Sequence, residues 1–560
     1  MPATAFQRFD FDQRYFIEPG YIVKDHTLVD AADGTHHLFY IKADETLPEG
    51  LRAKTLGHST STDLIHWTPH PDVIPVVPGT WEEAFVWAPY IVRSGGFYWM
   101  FYTGVNWNYA QGIGVAVSSD LYTWTKYPQN PVYTPSPTWA SWSSNTWSNC
   151  RDPFVFQELG VWYMTTTAWT NTSRGAISLA SSPDLTHWTD LGPLLVHPGP
   201  TQAWHVLEST NLHKYGGKWH LFCTEQNVGG SWYMNAPNFA GPWDFNSKQA
   251  FDAGHAIEVF KLGTKWMLSR HTTFSFQGLP RYVLKFDDLD WTTASKPVVQ
   301  WQDPLADWTV WSGDAFYLQP TFSDNSVARN AAPANFGGNS WIGTAELFTG
   351  PLQVGYPGLS AGEEPRGILR SKTFTLNGNR ISLRVGGGQD LDKLYVALYT
   401  TDDGVRRLRA TGQNSDAMQT VIWDVGPWSG RRVFIEIADQ STGTWGHINV
   451  DEIVEYNDGT TDAPAPRVLL SLHQNVPNPF NPSTRIRVDI PAATRGRLAV
   501  FDVRGRMVRE VYAGAFGAGS HDLVWDGVRG DGAPAASGLY FYRLEVAGQQ
   551  AQTRSMVLLK

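Results

Sequence analysis

The stretch WAPYIVRSGGFYWMFYTG, residues Trp87 to Gly104, decides the fold of this chain. It contains an apolar run, a glycine turn and a second run rich in aromatic residues, which is the pattern of a β-hairpin. RDPFVFQELGVWYMTTTA from Arg151 and ESTNLHKYGGKWHLFCTE from Glu208 repeat this order. We therefore interpret the three stretches as copies of one repeated unit.

Two more copies bring the repeat to five. KDHTLVDAADGTHHLFYI begins one residue before Asp25, and GHAIEVFKLGTKWMLSRH begins at Gly254. The copies are roughly 45 to 65 residues apart, which is room for four strands each, and radial repetition of four-stranded sheets is the β-propeller architecture. The sequence therefore predicts a five-bladed propeller over residues 1–303, in which the starts of the innermost strands gather at one mouth.

A second repeated element follows each of the first three hairpins. The segments STSTDLIHW, AVSSDLYTW and LASSPDLTHW share a Ser, an Asp-Leu pair and a terminal Trp. We expect the Asp side chains to organise turns through local hydrogen bonds and the Trp side chains to pack on the neighbouring unit. The residues concerned are Asp63, Asp120 and Asp184, with Trp67, Trp124 and Trp188.

Composition narrows the class of protein. The 560 residues include 26 Trp, 22 Tyr, 28 Phe, 52 Gly and 35 Pro, which suits strands and tight turns and favours an all-β fold. The formal net charge of -10 is spread along the chain and argues against a nucleic-acid partner.

No apolar run reaches the length of a membrane span, and the N-terminus lacks the pattern of a signal peptide. Cys150 and Cys223 could form one bridge or remain free.

Three acidic residues depart from the repeat at its inner-strand starts. Asp25 and Asp152 occupy equivalent positions, and Glu208 falls within one residue of the same place in the fourth copy. Three converging carboxylates repel one another, so a structural explanation is weak. Paired carboxylates are what glycoside hydrolysis requires, one as general acid and one as nucleophile or base.

The surroundings of the three residues suggest roles. We expect an apolar environment to raise the pKa of Glu208, which makes it the acid, and we assign Asp25 as nucleophile or base. Asp152 would hold sugar hydroxyls and stabilise developing charge. Arg151 would keep Asp152 ionised or bind hydroxyls itself.

Aromatic and histidine side chains supply further candidates for substrate binding. We expect the face of an exposed Trp in a mouth loop to contact a sugar, and His side chains near the channel to form hydrogen bonds. The candidates are Trp87, Trp107, Trp147, Trp204, His26, His205 and His271. No spacing indicates a metal site, and no cofactor is expected.

These residues resemble the five-bladed propeller glycosidases of families 32, 68 and 43 over roughly residues 15 to 300. In families 32 and 68 an Arg-Asp-Pro triplet opens the third blade, matching Arg151, Asp152 and Pro153. The resemblance implies that Asp25 is the nucleophile, Asp152 the transition-state stabiliser and Glu208 the acid/base. The VKDHTLV surroundings of Asp25 differ from the usual family 32 motif, and the Ser-x-Asp-Leu element is also found in family 43.

The remainder of the chain predicts two further β-domains. DWTVWSGDAF, GILRSKTFTLNGNRISLRVGGG and TWGHINVDEI resemble the jelly-roll module that accompanies family 32 levanases, here assigned to residues 304–458. Residues 459–466 have the composition of a linker. NVPNPFNPSTRIRV, FDVRGRMVRE and SGLYFYRL resemble the C-terminal sorting domain of type 9-like secretion systems, an Ig-like sandwich assigned to residues 467–560. This domain implies export through a secretion machinery, with a signal peptide removed from the N-terminus.

The combined prediction is a secreted, exo-acting, retaining glycoside hydrolase that cleaves β-fructofuranosidic linkages of oligo- or polysaccharides, as levanases do. A family 43-like inverting arabinofuranosidase or xylosidase is the alternative within the same class. A carbohydrate-binding surface protein without turnover is the alternative from another class.

Overall fold

The computed structural model of this protein describes most of the chain. The described residues are all except 1–5, 10, 19, 200–205, 227–229, 253, 277–278, 293–295, 301, 327–330, 351–355, 458–470, 474, 476, 491–492, 503–505, 518, 547–550 and 560. The predicted linker at 459–466 therefore lies outside the described residues. No helix in the described part of the chain is long and apolar enough to cross a membrane.

Among the described residues up to 300, the chain forms 22 strands. They are β1 (Gln7–Phe9), β2 (Tyr15–Phe16), β3 (Tyr21–Asp30), β4 (His36–Asp44), β5 (Thr55–Ser61), β6 (Thr68–Val73), β7 (Phe85–Ser94), β8 (Phe97–Val105), β9 (Gln111–Ser118), β10 (Thr125–Lys126), β11 (Arg151–Glu158), β12 (Val161–Trp169), β13 (Gly175–Ser182), β14 (Thr189–Val196), β15 (Leu207–Tyr215), β16 (Lys218–Glu225), β17 (Ser231–Ala236), β18 (Gln249–Asp252), β19 (His255–Leu262), β20 (Lys265–Phe276), β21 (Leu279–Trp291) and β22 (Pro297–Gln300).

The second half adds 18 strands. They are β23 (Trp308–Gly313), β24 (Thr321–Phe322), β25 (Ser340–Gly343), β26 (Gly367–Ser371), β27 (Phe374–Thr375), β28 (Arg380–Gly387), β29 (Leu394–Thr400), β30 (Arg406–Ala410), β31 (Ser415–Asp424), β32 (Arg432–Asp439), β33 (Ile448–Tyr456), β34 (Ser471–Leu472), β35 (Thr484–Ile490), β36 (Thr494–Asp502), β37 (Met507–Phe516), β38 (Gly519–Trp525), β39 (Gly538–Val546) and β40 (Gln552–Leu558). Short 3-10 helices occur at Glu49–Leu51, Phe245–Ser247 and Gly426–Trp428.

Five antiparallel sheets form the blades of a propeller. Their strand orders are β3-β4-β5-β6, β7-β8-β9-β10, β11-β12-β13-β14, β15-β16-β17-β18 and β19-β20-β21-β2. The innermost strands β3, β7, β11, β15 and β19 contact one another in sequence, and β19 contacts β3, which closes the ring. The prediction of an all-β fold with a five-bladed propeller is confirmed.

The N-terminal segment holds the ring closed. β2 pairs with β21 through Tyr15 and Phe16, so the last blade takes its outer strand from the start of the chain. β1 pairs instead with β33 of the following sandwich, through Gln7 opposite Glu455. Residues 7–9 therefore belong to the sandwich, which corrects the prediction that residues 1–303 all belong to the propeller. The pairing of β1 with β33 therefore decides the domain of β1, although β1 lies next to the propeller strands in the sequence.

The Ser-x-Asp-Leu element forms the same turn in three blades. In the first blade Ser61 Oγ accepts from the backbone N–H groups of Asp63 and Leu64, and Asp63 Oδ1 accepts from those of Ile65 and His66. The Leu adopts positive φ, at 64° for Leu64, because the turn reverses there. Ser118 with Asp120 and Ser182 with Asp184 repeat these hydrogen bonds, as the sequence predicts.

The Trp of each turn packs on the preceding blade. Trp188 Nε1 donates to Leu185 O at 3.0 Å, and its ring meets Phe101 of blade two edge-on at 5.7 Å. Trp124 meets Phe39 of blade one in the same way. Trp67 packs on Phe286 of blade five. The three Trp side chains therefore seal successive blade interfaces, and no substrate role is needed for them.

Two β-sandwiches follow the propeller. The first has the sheets β23-β26-β32-β29-β30 and β24-β25-β33-β28-β31 around a core that includes Leu369, Leu383 and Ile435. The second has the sheets β34-β35-β38 and β37-β36-β39-β40 around Ile486, Trp525 and other buried side chains. Cys150 and Cys223 are both buried and free, so they do not form a bridge.

We predict that Trp188→Ala destabilises the propeller by about 3 kcal/mol, because it removes a large side chain from the interface between blades two and three. Thermal and urea unfolding followed by tryptophan fluorescence and circular dichroism measures the change. Leu159→Ala is the matched control on the same blade, since Leu159 is 97% exposed, and its effect should stay within about 0.5 kcal/mol. Equal effects of the two substitutions would contradict the sealing role.

Candidate active site

A β-bulge recurs at the start of every innermost strand. The register with the second strand shifts between Val23 and His26, Trp87 and Tyr90, Arg151 and Phe154, Glu208 and Asn211, and His255 and Glu258. Each shift leaves two residues unpaired. A bulge bends its strand and redirects the side chains at that point, and bulges are frequent beside active sites.

The backbone of the bulge is unusual in four of the five blades. Ala88, Asp152, Ser209 and Ala256 are each the first unpaired residue, and each has φ between 43° and 58°. Non-glycine residues adopt this region at a cost in free energy, so four repeats indicate that the ring imposes the conformation. The bulge therefore sets the direction of Asp152 at the third blade.

The bulge brings the three predicted carboxylates to one mouth. Asp25 is the second unpaired residue of its bulge, Asp152 is the first, and Glu208 is the last paired residue before its bulge. Their charges act on one another, since the charge of Glu208 raises the pKa of both Asp25 and Asp152. The structure thus brings together the residues that the repeat alignment singled out, but Asp25 lies one position later in its bulge than Asp152, so the two are not equivalent as the alignment predicted.

Arg151 lies between two of the carboxylates. Its Nη2 donates to Glu208 Oε2 at 2.8 Å, and its Nε lies 3.6 Å from Asp152 Oδ2. Its Nη1 donates to Asn149 Oδ1 at 2.5 Å. The sequence predicted that Arg151 pairs with Asp152. The shorter contact is with Glu208, so the guanidinium bridges blades three and four.

Asp152 is buried and only partly satisfied. Its Oδ2 accepts from Thr167 Oγ1 and from the backbone N–H of Ser209, both at 3.1 Å. Its Oδ1 has no hydrogen-bond partner among the described residues. Burial raises the pKa of Asp152 to about 7, with the charge of Arg151 acting against it and the charge of Asp25 adding to it.

The pKa of Glu208 is lowered, whereas the sequence analysis predicted a raised pKa. Burial alone would raise it, but a hydrogen bond from His255 and the charge of Arg151 outweigh burial and lower the pKa of Glu208 to about 2. His255 Nε2 lies 3.0 Å from Glu208 Oε1. The prediction was wrong because it considered only the apolar neighbours in sequence and not cations from the adjacent blades.

The pKa of Asp25 is shifted in the opposite direction, above its usual value. Burial raises its pKa, His255, Lys24 and Arg151 oppose the rise, and Glu208 adds to it. With Asp25 and Asp152 both raised and Glu208 lowered, a proton on this trio resides on the aspartate side in the free site. Because the three groups are coupled, the proton belongs to the cluster and its position depends on what is bound.

The other predicted residues lie at different depths. Trp87 occupies the position just before its bulge, equivalent to Arg151, Glu208 and His255 in the next three blades, and is half-buried. His26 is buried below the mouth, where its Nε2 lies 2.6 Å from Ser269 Oγ in a hydrogen bond.

His271 also lies near the site, in edge-on contact with His255 at 4.9 Å. His271 and His26 are held neutral, because burial lowers the pKa of each to about 3. They can therefore each present one acceptor and one donor nitrogen, rather than a positive charge.

Two exposed tryptophans lie in loops at the end of the blades where the innermost strands begin. Trp147 is 58% exposed, stacks on Tyr109 with ring centroids 5.1 Å apart, and donates from Nε1 to Asn149 Oδ1 at 3.4 Å. Trp107 is 51% exposed, with Lys54 Nζ 4.3 Å from its ring centroid. Asn149 thus links Trp147 to Arg151. Trp204 and His205, also predicted to bind substrate, lie outside the described residues.

The sequence interpretation missed several residues of the site. Asn149 and Thr167 orient Arg151 and Asp152, and His255 pairs with Glu208, a contact that was not predicted. An alignment of the fifth copy with the third places His255 at the position equivalent to Arg151. Nothing in the sequence marks Thr167 among the other threonines of β12, because its role depends on the strand register.

Comparison with known proteins agrees with this arrangement. Residues 23–262 match the glycosyl hydrolases family 32 N-terminal domain. The matched region contains the bulges of all five innermost strands and all three carboxylates. Residues 478–552 match the FlgD Ig-like domain, within the second sandwich.

Three curated relatives are similar to parts of the chain. "Putative glycosyl hydrolase ecdE" of Aspergillus rugulosus is 24% identical over 77% of this chain and 59% of the relative. Sucrose-6-phosphate hydrolase of Salmonella typhimurium is 28% identical over 40% of this chain and 48% of the relative. An insoluble β-fructofuranosidase isoenzyme of Arabidopsis thaliana is 33% identical over 30% of each chain. The chain thus spans about half the length of the first two relatives.

We predict that Arg151→Met raises the pKa of Glu208 by at least about one unit, because it removes the hydrogen bond and the positive charge that hold the carboxylate ionised. The side-chain carboxyl signals of glutamate in carbon-13-labelled protein report the titration, and Glu208→Gln assigns the resonance. Arg174→Met, at an exposed arginine of the same blade, is the control. An unchanged Glu208 titration in Arg151→Met would show that His255 alone sets this pKa.

Proposed function

We propose that this protein is a retaining, exo-acting glycoside hydrolase that cleaves β-fructofuranosidic linkages. The observation that carries the proposal is the convergence of Asp25, Asp152 and Glu208, with Arg151, at the mouth of a five-bladed ring. A nucleophile and a proton donor beside a sugar-sized mouth are the requirements of a retaining glycosidase. The family 32 match over residues 23–262 adds support for the choice of fructofuranosides.

The reaction divides into two displacements. In the first, an Asp25 oxygen bonds to the anomeric carbon while the bond to the leaving oxygen breaks, and Glu208 gives its proton to that oxygen. In the second, Glu208 takes a proton from water as the water oxygen displaces Asp25. Both transition states resemble an oxocarbenium ion, whose positive charge Asp152 stabilises from beside the ring.

Substrate binding redistributes the proton of the trio. The acid role requires a proton on Glu208, whereas the free site holds it on the aspartate side, since the pKa of Asp152 is raised to about 7 and that of Glu208 lowered to about 2. Sugar hydroxyls that donate to Asp152 Oδ1 stabilise its ionised form. The proton then passes to Glu208, and Asp25 is left ionised for attack.

The rim above the carboxylates supplies the binding surface. Trp107 and Trp147 expose ring faces of the kind that pack on the C–H face of a sugar, and Trp147 connects through Asn149 to Arg151. Trp87 lies at the level of Glu208 and borders the reacting sugar. His26 and His271 orient the groups around Asp25.

The regions after the propeller have separate roles in this proposal. Residues 304–458 form a jelly-roll module of the kind that accompanies family 32 levanases, tied to the propeller by β1. Residues 467–560 form an Ig-like sorting domain that directs the enzyme through a secretion machinery to the cell surface or the medium. The match of residues 478–552 to the FlgD Ig-like domain supports the Ig-like part of that assignment.

We predict that the wild type releases fructose from levan, inulin or sucrose and releases nothing from arabinan or xylan. Asp25→Asn and Glu208→Gln should each lower kcat by about 10²- to 10⁴-fold, because each removes a group that acts on the reacting atoms. Chromatography of the released sugars measures both effects. Proton NMR of the first product checks that its anomeric configuration is retained.

Glu158→Gln is the matched control for this experiment, because Glu158 ends the strand that Asp152 begins and pairs with Lys214 away from the mouth. Its kcat should equal that of the wild type. Release of arabinose or xylose with inversion would favour a family 43-like activity instead. Binding of fructans without any product release would mark the protein as a non-catalytic binder.

We also predict that Trp147→Ala raises KM for the active fructan by about 10-fold while kcat changes less than about 2-fold, because stacking on a sugar contributes to binding more than to the chemical step. Trp311→Ala provides the control, since Trp311 is equally exposed but lies on the sandwich. Steady-state kinetics on both variants distinguishes them. A loss confined to kcat would remove Trp147 from the binding surface.

A further inference from the structure

A cavity lies at the bulges of the innermost strands, and two of the three carboxylates, Asp25 and Asp152, line it. The innermost strands enclose a volume of about 40 Å³, and β7, β11, β15 and β19 each line it with three consecutive residues. β3 contributes Asp25 and His26. The residues that pair first after each bulge are His26, Tyr90, Phe154, Asn211 and Glu258, and they all line the cavity.

Two acidic oxygens that line this cavity lack partners. Glu258 is only 5% exposed, and its Oε1 accepts from Thr27 Oγ1 at 2.8 Å. Glu258 Oε2 and Asp152 Oδ1 have no hydrogen-bond partner among the described residues. Buried polar atoms of native proteins are nearly always paired, with protein or with water. The two oxygens therefore require an occupant of the cavity that can bond to both.

The other polar groups around the cavity are partly engaged, and His26 Nδ1 also has no hydrogen-bond partner among the described residues. Asn211 is fully engaged, because its Nδ2 donates to Ser209 O and Ile257 O and its Oδ1 accepts from the N–H of Val259. His26 is bonded to Ser269 and neutral. Tyr90 is neutral as well, since burial raises its pKa far above the usual range.

The protonation of Glu258 differs from that of an ordinary surface carboxyl. Burial raises the pKa of Glu258 to about 8, against hydrogen bonds from Thr27 and from the backbone N–H of Leu28 that lower it. Glu258 is therefore neutral near pH 6, and with Oε1 accepting from Thr27, the hydroxyl of the acid is placed at Oε2. A cavity of this size holds about two water molecules.

We propose that Glu258 is a positioning residue: its neutral carboxyl donates a hydrogen bond through water in the cavity to Asp152 Oδ1, and so favours the ionised form of Asp152 beneath the sugar. This inference rests on the proposed function of the same site. The relay satisfies both unpaired oxygens. It also explains why a carboxyl side chain is placed on β19, where an apolar side chain would fill the same position.

A purely structural role for Glu258 makes a different prediction. The hydrogen bond from Thr27 to Glu258 joins blade one to blade five, where the ring closes. Glu258→Gln keeps an acceptor for Thr27 and a donor for the cavity, whereas Glu258→Leu keeps the approximate volume and removes both. A structural role affects the stability of Glu258→Leu and leaves the pH dependence of its activity unchanged.

The experiment measures kcat and KM against pH, with the wild type and both variants, on the fructan found to be hydrolysed. Glu258→Gln should keep kcat/KM within about 2-fold of the wild type. Glu258→Leu should lose about 10-fold near pH 6, because Asp152 loses its donor. The acidic limb of its kcat/KM profile should move to higher pH, since a less stabilised carboxylate is protonated more readily. Thermal unfolding confirms that both variants are folded.

Infrared difference spectra provide a readout that does not need activity. The wild type should show a protonated carboxyl band that disappears with a midpoint near pH 8, and Glu258→Gln should lack it. An unshifted acidic limb in Glu258→Leu, a Glu258→Gln variant as impaired as Glu258→Leu, or no such band would each overturn the proposal. If the wild type hydrolyses none of the sugars, the proposed function fails, and the infrared titration still decides whether Glu258 is neutral.

Discussion

The β-bulge at the start of each innermost strand is the constraint on which the rest of the site depends. A regular strand would alternate its side chains between the two faces of its blade. The extra residue breaks that alternation at the mouth and directs side chains such as Asp152 to the channel. Because the conformation recurs at Ala88 and Ala256, which carry no functional group, it belongs to the propeller and not to any one catalytic residue.

The bulge also places like charges close together, which is unfavourable unless opposite charges compensate them. It brings three carboxylates within range of one another, and the blades supply Arg151 and His255 as compensating groups. Both contact Glu208, so this residue is the ionised member in the free site, although its proposed role is to donate a proton. A fixed proton on Glu208 would need an apolar pocket of its own. A proton shared by the cluster needs only that substrate hydroxyls change the balance, which is consistent with the buried, half-satisfied state of Asp152.

Local pattern and repetition were enough to predict most of the architecture and the approach of the three carboxylates to one another. The hairpin copies, the Ser-x-Asp-Leu turns and the Trp packing all depend on residues close together in sequence, and the structure confirms them. The errors concern contacts between distant segments. β1 joins the sandwich through pairing with β33, and the pKa of Glu208 is set by His255 and Arg151 from neighbouring blades. The sequence alone does not reveal which distant strands pair, so such contacts could not be predicted from it.

The closure of the ring connects stability to the proposed chemistry. Blade five meets blade one through β2, which pairs in blade five and precedes β3 of blade one in the chain. The junction is also held by the packing of Trp67 on Phe286 and by hydrogen bonds between the two blades. Two of these hydrogen bonds, Thr27 to Glu258 and His26 to Ser269, line or adjoin the cavity below Asp25 and Asp152. A junction that opened would separate Asp25 on blade one from Glu208 and Asp152 on blades four and three. The polar contacts that close the ring therefore also fix the position of Asp25 relative to Asp152 and Glu208, and the fold cannot loosen at this junction without disturbing the site.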